Sequence, residues 1–269
     1  MFLSINPVLY LKQKKRNVEF EIYIVMMIFL LQVICAVLPA IVLAYLLYGR
    51  GVGVSISGKK LIGALGWGCL ILIIISIIHD IIPDFDGTYM SVFWGSAFPE
   101  ELVKMLVMLF LVYRNQYKRT LDVLMVCGCV GLGFAGLENV FYVIDEERWI
   151  LVVIMRAITS IPGHFIYAII MGFFIDKALN HSSELKSKVM YFLFAFSVPV
   201  LMHWARNTFV RIIKPELDST VLGVFVIFIL PTIFVIFAFK YIKKLRSKTE
   251  ESTHSNHQLL NTSDRCDIR

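Results

Sequence analysis

Two adjacent carboxylates, Glu100 and Glu101, precede Lys104 by four and three residues, a spacing that lets the ammonium reach either acid on one helical face. One carboxylate can then be neutralised while the other stays free for acid–base chemistry. Downstream stand Glu138 and Asn139, with Tyr142 one turn beyond Glu138. Arg156, Ser160 and His164 follow at i, i+4 and i+8, and then His203 and Asn207 four residues apart, with Arg206 between them. Two histidines with surplus carboxylates can activate a water in two ways. His164, His203 and Glu101 can hold a Zn²⁺ ion, which lowers the pKa of bound water toward about 7. In a metal-free arrangement a glutamate, Glu101 or Glu100, and a histidine share the water as general base and orienting group. Asn207 or Asn139 would then donate to a developing oxyanion. The residue types leave both arrangements open, with a slight preference for the metal-free one.

These side chains stand where they are costly. An ionisable group in the middle of a membrane helix costs roughly 2.5–3.5 kcal/mol on insertion scales. The chain has 269 residues and is 58% hydrophobic, against about 45–50% for a soluble domain. The excess falls in seven blocks, at about 22–48, 61–82, 90–113, 121–143, 150–175, 189–209 and 220–239. Each is close to the roughly 20 residues that cross about 30 Å of hydrocarbon. The expected fold is therefore all-α, a polytopic transmembrane bundle of about seven helices within a lipid bilayer. A basic tail is expected over 1–21, the membrane domain over 22–239, and a polar, disordered cytoplasmic tail over 240–269. The first block, though preceded by lysines, is too long for a signal peptide and reads as a retained helix.

A lone intramembrane ion pair is often only a packing device. Three carboxylates, two histidines, two asparagines and a lysine on four consecutive helices exceed what packing needs, so they are expected to face one another. Gly131-Leu-Gly133-Phe-Ala-Gly136 spells a dinucleotide fingerprint but lies mid-helix with no strand before it, so no organic cofactor is implied. With Gly128 and Ala135 it reads instead as a surface for close helix packing. His79-Asp80 reads as a solvated helix end. The net charge of +6 sits beside the apolar blocks, where topology explains it without nucleic acid. The five cysteines show neither zinc spacing nor a disulfide framework.

The loops 49–60, 114–120 and 176–188 carry three Lys or Arg each and the start of the tail carries five, against half as many in total on the other side. This excess predicts a cytoplasmic carboxyl terminus and an amino terminus outside. The polar groups lie nearer the second, fourth and sixth loops, which places them toward the extracytoplasmic half.

At these residues the sequence resembles the PrsW family of intramembrane proteases, related to the CAAX-processing and bacteriocin-processing membrane proteases. The resemblance rests on Glu100-Glu101-x-x-Lys104, on Glu138-Asn139-x-x-Tyr142 closing a glycine-rich helix, on Arg156 and His164 with Gly172 beyond, and on His203-x-x-x-Asn207. These four blocks occur in order across about 90–210, and together they are far more specific than any one. The resemblance implies a cell-membrane enzyme, commonly described as a metalloprotease, that cleaves a membrane-anchored protein, with first-site cleavage of an anti-sigma factor as the associated role. It gives Glu100, Glu101, Glu138, His164 and His203 as catalytic candidates, supported by Lys104, Asn139, Tyr142, Arg156 and Asn207. A proton-coupled carrier is the competing expectation, since it too places carboxylates and histidines at mid-membrane. Carriers favour internal repeats and broken helices. The two halves show no repeat, and Pro162 is the only proline beside the Arg156–His164 stripe.

Overall fold

The structure, a computed structural model, describes residues 7–48, 55–79, 87–144, 146–213 and 232–248, among which there is no strand. The helices are α1 (Pro7–Tyr48), α2 (Gly58–His79), α3 (Thr88–Val92), α4 (Phe98–Asn115), α5 (Thr120–Val143), α6 (Trp149–Ile158), α7 (Ser160–Asn180) and α8 (Leu185–Ile213). A last helix, α9, covers 232–248. Among the described residues, five stretches are long and apolar enough to cross a membrane: Val18–Tyr48, Gly58–His79, Thr120–Val143, Trp149–Asn180 and Leu185–Val210. The chain is a multi-pass membrane protein. The α4 helix is not one of the five, because Glu100, Glu101, Lys104 and Arg114 load its 18 residues with charge.

Two of the expected spans are broken, each for a reason carried by a proline. Proline has no N–H to give the carbonyl four residues back, and its ring clashes with that carbonyl. Pro162 therefore frees the carbonyl of Ile158, where α6 ends. Thr159, at φ −120° and ψ −61°, joins it to α7. Pro99 likewise frees Gly95, which lies inside a π-helical turn, Phe93–Ala97, between α3 and α4. Glu100 and Glu101 consequently sit in the first turn of α4, where the positive end of the helix dipole favours negative charge. The Arg156–Ser160–His164 stripe is thus not one continuous helix. Unbroken helices also cease to count against a carrier.

The ends depart from expectation as well. Residues 7–21, expected as a basic tail, are the first turns of α1. The α9 helix runs past Lys240, where a disordered tail was expected, and Ile242 and Arg246 are buried. Arg246 donates to the carbonyl of Leu47, one of the last four of α1, which have no partner within their own helix. The first part of the 220–239 block and residues 249–269 lie outside the described residues.

At the centre stands α5, buried without interruption from Leu121 to Gly136. Its glycines explain how. A Cβ on Gly133 would lie 2.0 Å from the carbonyl oxygen of Leu65, and one on Gly68 would lie 2.1 Å from that of Val130, so α2 and α5 meet backbone to backbone. On another face, a Cβ on Gly131 would meet the Ala168 Cβ at 2.5 Å and the His164 carbonyl oxygen at 2.8 Å. The packing reading of this run is correct, and it fixes where His164 stands. Replacing Gly133 by valine should lower stability by about 1–3 kcal/mol or more, since backbone rather than a flexible side chain must give way. Gly63→Ala on α2, with nothing within 4 Å of its new methyl, should leave the thermal unfolding temperature in detergent unchanged.

Polar groups occupy the two ends of this core. At one end Ser55 bonds Asp122, and buried Asp176 accepts from Thr120 at 2.7 Å and pairs with His181 at 3.1 Å. The other end begins at Glu138, 16 residues and about 24 Å further along α5.

Candidate active site

Lys104 is the hub. Its Nζ donates to Glu101 Oε1 at 2.9 Å, approaches His164 Nδ1 at 3.1 Å and Glu100 Oε2 at 3.6 Å, and lies 3.6 Å from the centre of the Phe134 ring. His203 Nδ1 reaches Glu101 Oε1 at 2.9 Å and Glu100 Oε2 at 3.9 Å. The i, i+3 and i, i+4 spacing on α4 stacks both acids with the lysine, as expected. Glu101, Lys104, His164 and His203 are at most 2% exposed, so their charges must be answered by one another or by something bound between them.

Glu138 meets the outer nitrogen of His164. One oxygen, Oε2, accepts from Arg156 Nη2 at 2.5 Å, from Ser160 Oγ at 3.4 Å and meets His164 Nε2 at 3.1 Å. The three members of the i, i+4, i+8 stripe therefore converge on a single carboxylate despite the break at Thr159. Arg156 also donates from Nε to Asn139 Oδ1 at 2.6 Å and lies 3.8 Å from the centre of the exposed Tyr142 ring. Asn139 gives its amide to the carbonyl of Ala36 on α1. One N–H of that amide is thereby engaged with α1. Asn207 stays at the site, with Nδ2 2.9 Å from His203 Nε2 and its Oδ1 held by Arg206.

All ten residues expected at the site are thus present around one centre, with Asn139 and Tyr142 at its edge. Three neighbours were not expected. Ser96 donates to Glu100 Oε1 at 2.8 Å and accepts from Asn207. Tyr167 stacks on His203 with ring centres 5.5 Å apart, and Phe134 meets His164 edge-on at 5.1 Å. Ser96 stands one turn before Glu100 and Tyr167 one turn after His164, so spacing was the available signal.

One oxygen or nitrogen from each of Glu100, Glu101, His164 and His203 lies within 4.8 Å of the others. Three observations fit this set to a metal ion. Both histidines turn Nδ1 inward, and the outer Nε2 of His164 faces the Glu138 carboxylate, the hydrogen-bonded arrangement typical of a ligating histidine, whereas Asn207 Nδ2 donates to His203 Nε2 and so leaves the His203 proton on the Nδ1 that donates to Glu101. The Oε2 atoms of Glu100 and Glu101 are buried and accept no hydrogen bond. The three carboxylates also exceed by one the two cations, Lys104 and Arg156, that pair with them. Lys104 already brings positive charge to the same donors.

The sequence matches the profile described as "PrsW family intramembrane metalloprotease" over residues 57–237. It is similar to proteins named Protease PrsW. That of Oceanobacillus iheyensis is 29% identical over 125 residues, covering 46% of this chain and 56% of the relative. That of Clostridioides difficile is 35% identical over 107 residues, covering 39% and 44%. That of Bacillus subtilis is 30% identical over 118 residues, covering 44% and 52%. The chain spans about half the length of the curated relatives it matches. No solved structure matches it. With the profile covering most of the chain and the glutamate–histidine centre inside the matched residues, the chain belongs to the PrsW family of intramembrane metalloproteases.

Proposed function

We propose that this protein is an intramembrane endopeptidase that hydrolyses a peptide bond of a membrane-anchored protein at the Glu100–Glu101–His164–His203 centre. The observation that carries this reading is the pair of inward-turned histidine Nδ1 atoms beside two buried carboxylates, in a chain of this family. A divalent ion, Zn²⁺ in this reading, would be held by His164, His203 and Glu101 and would supply Lewis-acid chemistry toward the scissile carbonyl and a water. The protein's own groups do the rest. Glu100 Oε2, which accepts no hydrogen bond, takes the proton of the attacking water and returns it to the amide nitrogen as the C–N bond breaks. Ser96 fixes the other oxygen of Glu100, and Lys104 donates to Glu101 Oε1 at 2.9 Å. Glu138 and Asn207 orient the two imidazoles. The Phe134 and Tyr167 rings wall the centre from water, which strengthens each electrostatic contact.

The test joins metal analysis to proteolysis of a single-pass membrane protein by the purified chain in lipid vesicles. About one divalent ion per chain is expected, with cleavage lost on chelation and restored by Zn²⁺. Full cleavage from metal-stripped protein would sink the metal arrangement and leave Glu100 and His203 to act on the water directly. A membrane-anchored anti-sigma factor is the specific substrate that the family resemblance suggests.

The basic excess of the loops supports a cell-membrane topology with the carboxyl terminus in the cytoplasm, the amino terminus outside and the site in the extracytoplasmic half. Single cysteines in 49–60, 114–120 and 176–188 should then resist an impermeant thiol reagent in intact cells. Labelling of all three would invert the topology.

A further inference from the structure

At the end of the bundle away from the catalytic centre, a cavity of about 560 Å³ lies between the carboxyl-terminal turn of α1 and α9. Its lining changes character along α9. Leu46 of α1 with Ile236 and Phe239 of α9 form an apolar part, and the exposed Lys240, Lys243 and Ser247 form a cationic and hydroxylic part. Residues 236, 240, 243 and 247 recur at helical spacing, so one face of α9 runs from hydrocarbon-like to cationic. The distance from Ile236 to Ser247 is about 16 Å, close to half of the roughly 30 Å hydrocarbon thickness. Arg246 also lines the groove, but its guanidinium is turned inward onto the Leu47 carbonyl and the Met125 sulfur. That contact fixes α9 against α1 and α5.

We propose that this groove binds one anionic phospholipid, with an acyl chain along Leu46, Ile236 and Phe239 and the phosphate between Lys240 and Lys243. Charge complementarity selects the occupant. The apolar part asks for a chain, and the two ammonium groups at its mouth ask for a phosphate without a compensating choline. Basic pockets between membrane helices recognise anionic headgroups in this way. Lys244 and Lys248 lie on the same helix but do not line the cavity, so they report on unspecific attraction of the whole basic segment.

The test uses the full chain in neutral detergent, titrated with dioleoyl-phosphatidylglycerol and followed by native mass spectrometry. Dioleoyl-phosphatidylcholine is the headgroup control and inorganic phosphate the competitor. K240Q/K243Q should weaken phosphatidylglycerol binding by about thirty-fold, roughly five-fold per cation lost. K244Q/K248Q should change it less than two-fold or so on the same scale. Ile236→Trp, which fills the apolar part and keeps every charge, should also abolish the tight site, so the outcome does not hang on whether the lysine variant folds. Equal binding of the two lipids, equal loss in the two lysine pairs, or unchanged binding in Ile236→Trp would each overturn the proposal. Displacement of the lipid by millimolar inorganic phosphate would also overturn it, in favour of a free-phosphate site.

Discussion

Glu100→Gln should lower the rate of substrate cleavage by about 10²–10⁴-fold, the usual range for loss of a positioned general base, while leaving bound metal near its wild-type level. Glutamine keeps the shape of the side chain and the contact with Ser96 Oγ, but it cannot take a proton from water. Glu101→Gln should be as inactive for a different reason. Glu101 Oε1 already holds Lys104 and His203 at 2.9 Å each, so its loss releases a ligand and the two groups that organise the centre. Metal content should therefore fall together with activity. Adding His203→Ala to Glu101→Gln should cost little further, because groups that act as one unit are not additive. Equal metal loss in both glutamine variants would move the base elsewhere, with Glu138 the next carboxylate beside His164.

Lys104→Met should be the most damaging single change to folding. It would remove the cation from between two buried carboxylates and from the face of Phe134. Breaking a buried pair by removing one partner costs about 3–5 kcal/mol, because the other charge stays buried and unanswered. Replacing Glu100, Glu101 and Lys104 together by Gln, Gln and Met removes both signs at once. That triple variant should insert, recover most of the lost thermal stability and remain inactive. Stability and activity are thereby separated. A triple variant that still cleaves would show that the charges of α4 serve only insertion.

How much of this was legible in the sequence follows from what each residue costs. Glu100, Lys104, Glu138, Arg156, His164 and His203 stood out because each is expensive in hydrocarbon, and expense on four successive helices implied one meeting place. Their local spacing was readable too, since i, i+4 contacts live within one helix. The Gly131–Gly133 run was readable as packing because no strand precedes it. The assignment of partners across helices was not readable. Nothing in the order of residues said that Arg156, Ser160 and His164 would share one oxygen of Glu138, or that Asn139 would turn to Ala36 instead of the centre. Ser96, Phe134 and Tyr167 escaped notice because neutral and aromatic residues cost little in a membrane. The breaks before Glu100 and within the Arg156–His164 stripe were missed because hydropathy does not register a bend. Pro99 and Pro162 were the available signals, the first immediately before Glu100 and the second two residues before His164. The block at 121–143 matches α5 to within one residue at its start, while α9 continues as helix beyond the point where charge ends the apolar run.

Two helix breaks beside a buried charged centre would also suit a carrier, so the measurement that counts is the appearance of a new peptide end. The wild-type chain and Glu100→Gln are each reconstituted in vesicles with a single-pass membrane protein, and the products are read by mass spectrometry. The expected result is a new amino terminus within or at the edge of the substrate's membrane span, present with the wild type and reduced at least about a hundred-fold with Glu100→Gln. Intact substrate with the wild-type chain, accompanied by proton movement across the vesicle wall that Glu100→Gln abolishes, would contradict the protease reading and establish the carrier.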